Sequence, residues 1–260
     1  KSNWKLLQDS SIPNLQEIKL SEKGQNRFLA FFEMLKVEMN LTGEYLIESA
    51  NNFPADCGLA SSASSFAALT LAAYEFNKVH LENSWIINKS KNILATLASS
   101  DYSHKIIKQD KIQDTFITRE LSKLSRQGSG SSCRSLVGPW GLWADDHAVA
   151  VSNSYNELIA MAVIVEDSKK LVSSSEAHGR VTSSPFFGGR PERAEHRLEQ
   201  LLLTLQFHQW KKAYEICWEE FMDMHDLFHT AQPSFYYMNE DSKAVLESVR
   251  QIWATENDGP

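Results

Sequence analysis

Two stretches rich in serine and glycine carry the side chains best suited to holding an anion. The first is Pro54-Ala55-Asp56-Cys57-Gly58-Leu59-Ala60-Ser61-Ser62-Ala63-Ser64-Ser65. Gly58 and Ala60 let a ligand approach the backbone closely, and Ser61 and Ser62 add hydroxyl donors. The second is Gly128-Ser129-Gly130-Ser131-Ser132-Cys133-Arg134-Ser135. Here backbone donors and hydroxyls are followed by the planar, five-donor fork of an arginine. Each stretch also has a plain structural reading. The first fits an ordinary loop capping a helix, and the second fits a flexible hinge. Cys133 beside Arg134 is either a thiol of lowered pKa or a small buried residue, and the buried residue is the preferred reading.

Two other groups carry metal-binding residue types. His225 and His229 stand at i, i+4, a spacing that can hold a metal. No glutamate follows the first histidine and no third ligand is in sight, so no metal site is assigned. Asp145-Asp146-His147 reads as a hairpin turn rather than a metal site.

The elements that must position the two loops follow from periodicity. Tyr45-Leu46-Ile47-Glu48-Ser49 predicts a short strand before the first loop, and Phe66 to Tyr74 predicts an Ala- and Leu-rich helix after it. The loop therefore feeds a helix start, where unpaired N–H groups and the macrodipole favour negative charge. Phe28, Phe31, Phe32, Leu35 and Met39 predict a helix over 26–40. Residues 1–20 give no strong signal. Residues 78–120 read as an insertion with helical fragments at 86–97 and 118–124, and Trp85, Ile86, Ile87, Ile93, Leu94 and Leu97 need burial there. Strands are expected at 140–143 and 148–151, and a buried strand at 159–165. A boundary near Tyr155 gives domains 1–155 and 156–260.

Further on, Ser173 and Glu176 fit a capped helix start, and Gly188-Gly189-Arg190-Pro191 leads into a helix over 192–204. A helix over 210–228 places Trp210, Ala213, Tyr214, Cys217, Phe221 and Met224 on one face, and the last helix covers 243–253.

Composition narrows the classes. The chain has 260 residues, 42% hydrophobic and 23% charged. That fits a soluble globular protein of one large or two medium domains. A net charge of −7 argues against general nucleic-acid binding. The three cysteines are scattered and form no C-x-x-C pair, which suits a reduced, cytoplasmic compartment without disulfides or zinc. The apolar run 159–165 is too short to span a bilayer, so no membrane partner is expected.

Taken together the motifs resemble one family. Asn51-Asn52-Phe53-Pro54, Gly58-Leu59-Ala60-Ser61-Ser62-Ala63 and the Gly128–Ser135 loop are similar to those of the diphosphomevalonate decarboxylase family in the GHMP kinase superfamily. Thr182-Ser183-Ser184-Pro185-Phe186 with Arg190, and Phe221-Met222-Asp223-Met224-His225, extend the resemblance. It implies an α+β GHMP kinase-like fold. A ribosomal S5 domain 2-like N-terminal domain with the 78–120 insertion would join a ferredoxin-like C-terminal domain, with a cleft between them.

The implied reaction is ATP-dependent decarboxylation of mevalonate 5-diphosphate to isopentenyl diphosphate, with Mg²⁺ on the phosphates. By resemblance Gly58, Leu59, Ala60, Ser61 and Ser62 meet ATP. Ser129, Gly130, Ser131, Ser132, Cys133, Arg134 and Ser175 meet the substrate. Arg134 would hold the departing carboxylate as the catalytic residue. A homodimer is implied as well. The alternatives are a phosphomevalonate decarboxylase, a mevalonate 3-kinase, or a non-catalytic remnant of the fold. The family's opening Ile-Lys-Tyr-Trp-Gly-Lys strand and its catalytic aspartate in Asp-Ala-Gly-Pro-Asn are not found in the sequence. On that reading both family termini are lacking, and Asp258 does not take the catalytic role.

Overall fold

The computed structural model describes residues 2–8, 15, 20–53, 60–89, 109–138, 140–151, 161–166 and 171–255. The chain divides into two compact units, Lys1–Val151 and Ser152–Pro260. The described residues form an α+β structure of helices with two small two-stranded sheets.

In the first unit, β1 (Asn3–Leu6) runs parallel to β2 (Leu46–Ser49), with Trp4 opposite Ile47. Four residues are too few to show alternation, which is why β1 left no trace in the sequence. Its partner holds it instead. Lys5 pairs with Glu48 at 2.7 Å, and the Trp4 indole N–H donates to Ser49 Oγ at 2.6 Å. Helix α1 (Glu22–Glu38) opens on Ser21 as its N-cap. The Ser21 hydroxyl accepts from the Gly24 N–H at 3.2 Å. The helix buries Phe28, Phe31, Phe32 and Leu35, the stripe its periodicity predicts. Helix α2 (Ser61–His80) answers with Phe66, Leu69, Ala73 and Tyr74. The Phe66 ring meets Phe31 edge-on at 4.9 Å.

Near the end of α2, the fully buried Asn77 side chain joins three segments. Its Nδ2 donates to the Met39 carbonyl at 2.8 Å, and its Oδ1 accepts from the Trp85 N–H at 3.2 Å. This anchors a helical stretch over 84–89 that buries Trp85 and Ile86. Ile87 is exposed, against expectation, because three consecutive helical residues cannot share one face. Ile93, Leu94 and Leu97 lie outside the described residues.

Helix α3 (Gln109–Gly128) is far longer than the fragment expected at 118–124. It absorbs Arg126, Gln127 and Gly128, so Gly128 ends a helix rather than opening a loop. A 3-10 helix, Gly130–Leu136, follows at once, so this segment is not a hinge. Strands β3 (Gly141–Ala144) and β4 (His147–Ala150) form the expected hairpin about Asp145-Asp146. Asp145 takes φ 46°, a turn conformation aspartate tolerates.

The second unit is helical in its described residues. Helix α4 (Ser174–Arg180) is capped as expected, with Ser173 Oγ accepting from the Glu176 N–H at 3.2 Å. Helix α5 (Arg190–Gln206) starts after Gly189, at φ 77°. Pro191 stands in its first turn, where its fixed φ suits the helix and no N–H is missed. Helix α6 (Trp210–Thr230) packs on α5 through an ion network. The Arg193 guanidinium grips Asp223 in two bonds of 3.0 and 2.9 Å. Arg197 reaches Asp223 at 2.7 Å and Glu220 at 3.0 Å, and Arg190 also donates to Glu220. These bonds hold the Asp223 carboxyl at a pKa of about 2.

Helix α6 buries Ala213, Ile216, His225, Leu227 and Phe228, while Cys217 and Met224 are exposed. Of the predicted stripe, Ala213 is buried, and Tyr214 and Phe221 pack against Trp253 and His225, so the face is partly right; Ile216 and Leu227 widen it on the side the stripe left out. Helix α7 (Glu240–Thr255) closes on α6 by stacking Trp253 on Tyr214 at 3.6 Å. Met161, Val163 and Ile164 are exposed, and residues 161–166 join no sheet among the described residues. An apolar run becomes a buried strand only with pairing neighbours and covered faces, and the described part of 159–165 has neither.

Candidate active site

The first loop enters the described residues at Ala60, which caps α2 in the left-handed region at φ 52°, ψ 42°. Among the described residues no side chain caps the first N–H groups of the helix, and this end carries the positive pole of the macrodipole. The Ser64 and Ser65 hydroxyls are spent within the helix, donating to the Ser61 carbonyl at 3.0 and 2.9 Å. Ser61 and Ser62 are therefore the hydroxyls left at its mouth. Gly58 and Leu59 lie outside the described residues.

Ser129, in extended conformation, caps the 3-10 helix. Its hydroxyl lies 3.4 Å from that of Ser62. Two loops 67 residues apart in sequence thus meet side chain to side chain. Within the 3-10 helix the side chains divide. Ser132 Oγ donates to the Ser129 carbonyl at 2.7 Å, and the Cys133 thiol to the Gly130 carbonyl at 3.2 Å, both buried. Any contact they make with a ligand would come from the backbone. Burial pushes the Cys133 thiol up despite the nearby Arg134 and Arg126 charges, so the buried-residue reading stands and the lowered-pKa reading fails. Ser131 is half-buried. Arg134 is exposed and makes no hydrogen bond or ion pair among the described residues, so its fork is available.

Two glycines let this arrangement close. A Cβ on Gly128 would lie 2.3 Å from the Phe66 ring of α2, and one on Gly130 2.9 Å from the Trp143 ring of β3. The Gly128 carbonyl accepts from Arg27, whose guanidinium lies over Phe66 at 5.3 Å. Arg126 lies over Trp143 at 5.1 Å. So these two glycines serve close packing, neither of them in a flexible hinge. Arg27, Phe66, Ser122 and Trp143 support the loops and were not singled out from sequence. Ser122 left no signal, since Thr118-Arg119-Glu120-Leu121-Ser122-Lys123-Leu124 is mostly polar and nothing sets this serine apart.

Ser175 is the second residue of α4, and its side chain lies outside the described residues. The two histidines of α6 serve packing. The His225 ring is buried against Phe221 at 4.5 Å and Phe228 at 5.2 Å, and His229 stacks on Tyr236 at 4.5 Å. Burial, with His229 nearby, lowers the His225 pKa. Among the described residues no group of three or more His, Cys, Asp or Glu can hold a metal, and no helix is long and apolar enough to cross a membrane.

Residues 4–100 match the diphosphomevalonate decarboxylase-like N-terminal domain, and residues 160–258 the mevalonate 5-diphosphate decarboxylase C-terminal domain. The crystal structure of a mevalonate diphosphate decarboxylase from Legionella pneumophila is 35% identical, with a TM-score of 0.76. The match covers 100% of this chain and 72% of that one. Diphosphomevalonate decarboxylase of Saccharomyces cerevisiae is 30% identical over 221 residues, 79% of this chain and 46% of the yeast protein. A structure of MDDEF in complex with MVAPP, AMPPCP and magnesium shares the fold at 24% identity and a TM-score of 0.67, covering 100% of this chain and 71% of that one. The chain spans about half the length of the curated relatives it matches.

Proposed function

Since the chain belongs to the diphosphomevalonate decarboxylase family, we propose that it converts mevalonate 5-diphosphate and ATP to isopentenyl diphosphate, ADP, phosphate and CO2. The observation that carries this is the 3.4 Å approach of Ser62 to Ser129. It sets an anion-attracting helix start beside a second hydroxyl-rich segment, and phosphoryl transfer between two bound phosphate esters needs that proximity.

In this reading the backbone from Gly58 to Ala60, with Ser61 and Ser62, holds the ATP phosphates. The Ser129 and Ser131 hydroxyls, with the backbone from Gly130 to Cys133, take the substrate diphosphate. The substrate's 3-hydroxyl attacks the γ-phosphorus, its proton passes to water, and the bond from that phosphorus to ADP breaks. The C–O bond to the new phosphate then breaks, and the bond to the carboxylate supplies the electron pair of the alkene as CO2 departs. Arg134 holds that carboxylate in line by its fork. Magnesium, when bound, neutralises phosphate charge. The hydroxyl oxygens of Ser61 and Ser62 are hard donors that suit it. A cytoplasmic homodimer accompanies this reading, and sedimentation of the purified chain checks the dimer.

The test is to supply ATP and magnesium with mevalonate 5-diphosphate, mevalonate 5-phosphate or mevalonate in turn, following ADP and CO2 together. The expected result is equal ADP and CO2 from the diphosphate alone. ADP without CO2 would show a 3-kinase, preference for the monophosphate a phosphomevalonate decarboxylase, and neither product a non-catalytic protein. Each of these overturns the proposal.

A further inference from the structure

We propose that Ser122 is a positioning residue that sets the ligand face of the 3-10 helix, on the reading that Ser129, Ser131 and Arg134 meet the diphosphate substrate. Ser122 lies in α3 and is fully buried. Its hydroxyl donates to the Cys133 carbonyl at 3.1 Å and accepts from the Ala148 N–H at 2.8 Å. One oxygen therefore ties α3 to the 3-10 helix and to β4. The hydroxyl's single proton is spent on Cys133, which fixes Ala148 as the donor to its lone pair.

The tie sits where it bears on chemistry. The Cys133 carbonyl belongs to the peptide that leads into Arg134. Cys133 itself is fully buried, so its side chain cannot swing out to compensate. On the other side, a Cβ on Gly141 would meet the Arg134 carbonyl at 3.3 Å, so β3 also crowds this backbone. Without the hydroxyl, a buried carbonyl and a buried N–H lose their partner. The Cys133–Arg134 peptide would then turn to find another donor, and the Arg134 fork would turn with it. The start of α2 has no bond to Ser122, so the nucleotide side should be spared.

The test compares the full chain with Ser122→Ala and Ser122→Thr, which keeps the oxygen. In Ser122→Ala, amide hydrogen exchange across 129–135 and 147–150 should rise about tenfold or more, with α1 and α2 unchanged. The KM for mevalonate 5-diphosphate should rise about tenfold while that for ATP stays within about twofold. Ser122→Thr should recover most of both effects. Unchanged exchange across 129–135, or equal rises in both KM values, would overturn the proposal. If the parent chain turns over no mevalonate 5-diphosphate, the functional reading fails, and hydrogen exchange still decides the role of Ser122. Should Ser122→Ala not fold, Ser122→Cys, which keeps a weak donor, must show the same exchange pattern in smaller measure, and parental exchange would overturn the role.

Discussion

Replacing Gly128 by alanine tests the packing that brings the two loops together. A helical glycine replaced by alanine ordinarily gains up to about 1 kcal/mol. Here the new Cβ would lie 2.3, 2.5 and 3.0 Å from three carbons of Phe66. Carbon atoms in contact sit about 3.5–4.0 Å apart, so the ring would have to withdraw by more than ~1 Å. It has little room, being buried with Phe31 at 4.9 Å, Phe28 at 5.8 Å and the Arg27 guanidinium at 5.3 Å. Overpacking costs about 1–3 kcal/mol and approaches this short belong at the upper end, so after the propensity gain the net loss is about 2 kcal/mol and the midpoint of thermal unfolding falls by about 4–8 °C. Ser62 and Phe66 share a face of α2, so the push also separates Ser62 from Ser129 and lowers turnover. Gly24→Ala is the control, because its nearest neighbours would be at 3.4 and 3.6 Å. That variant should melt at or above the parent. Circular dichroism melts of both variants decide the matter. A Gly128→Ala chain as stable as Gly24→Ala would show that contact with Phe66 does not select this glycine.

Arg134→Lys should lower kcat/KM by about tenfold or more, since lysine loses the two-bond grip on a carboxylate. Its melting midpoint should hold, because Arg134 is exposed and has no partner among the described residues. Asn77→Ala strands the Met39 carbonyl and the Trp85 N–H. It should cost about 2–4 kcal/mol, read by chemical denaturation, with activity per folded molecule unchanged. Acid unfolding should show two groups in sequence. His225 has a folded pKa lowered from 6.5, so its contribution is whole above that value and declines as pH falls below it. The Asp223 carboxyl stands at about 2 in the folded chain against an ordinary 3.8. A depression of that size contributes roughly 2 kcal/mol. That contribution is kept above 3.8 and lost as pH falls toward 2. Asp223→Asn should remove the second step alone, as followed by fluorescence at fixed denaturant.

What the sequence showed was local. The α1 stripe, the Ser173 cap, the start of α5 and the β3–β4 hairpin each rest on residues within a turn or two of one another, and periodicity and capping chemistry report such neighbours directly. What it hid was pairing. β1 exists because Leu46–Ser49 lies beside it, and no pattern inside Asn-Trp-Lys-Leu announces that. On α6 the apolar residues spread over a wide arc, and only the partners packed on them, Trp253 on Tyr214 and Phe235 on Phe228, decide which are covered.

The same limit governs the candidate site. The serines and Arg134 stood out by type, yet type alone did not say which hydroxyls face outward. Ser132 and Ser131 are equivalent in sequence, and the 3-10 turn sends one to the Ser129 carbonyl and leaves the other half-buried. Gly128 and Gly130 fit a flexible hinge by type, whereas Phe66 and Trp143 occupy the space beside them. A Gly-Ser-Gly pattern therefore specifies two properties at once, close approach of neighbouring elements on one side and free hydroxyls on the other. Sequence shows the small residues that permit both, and the long-range partners decide which side each serves.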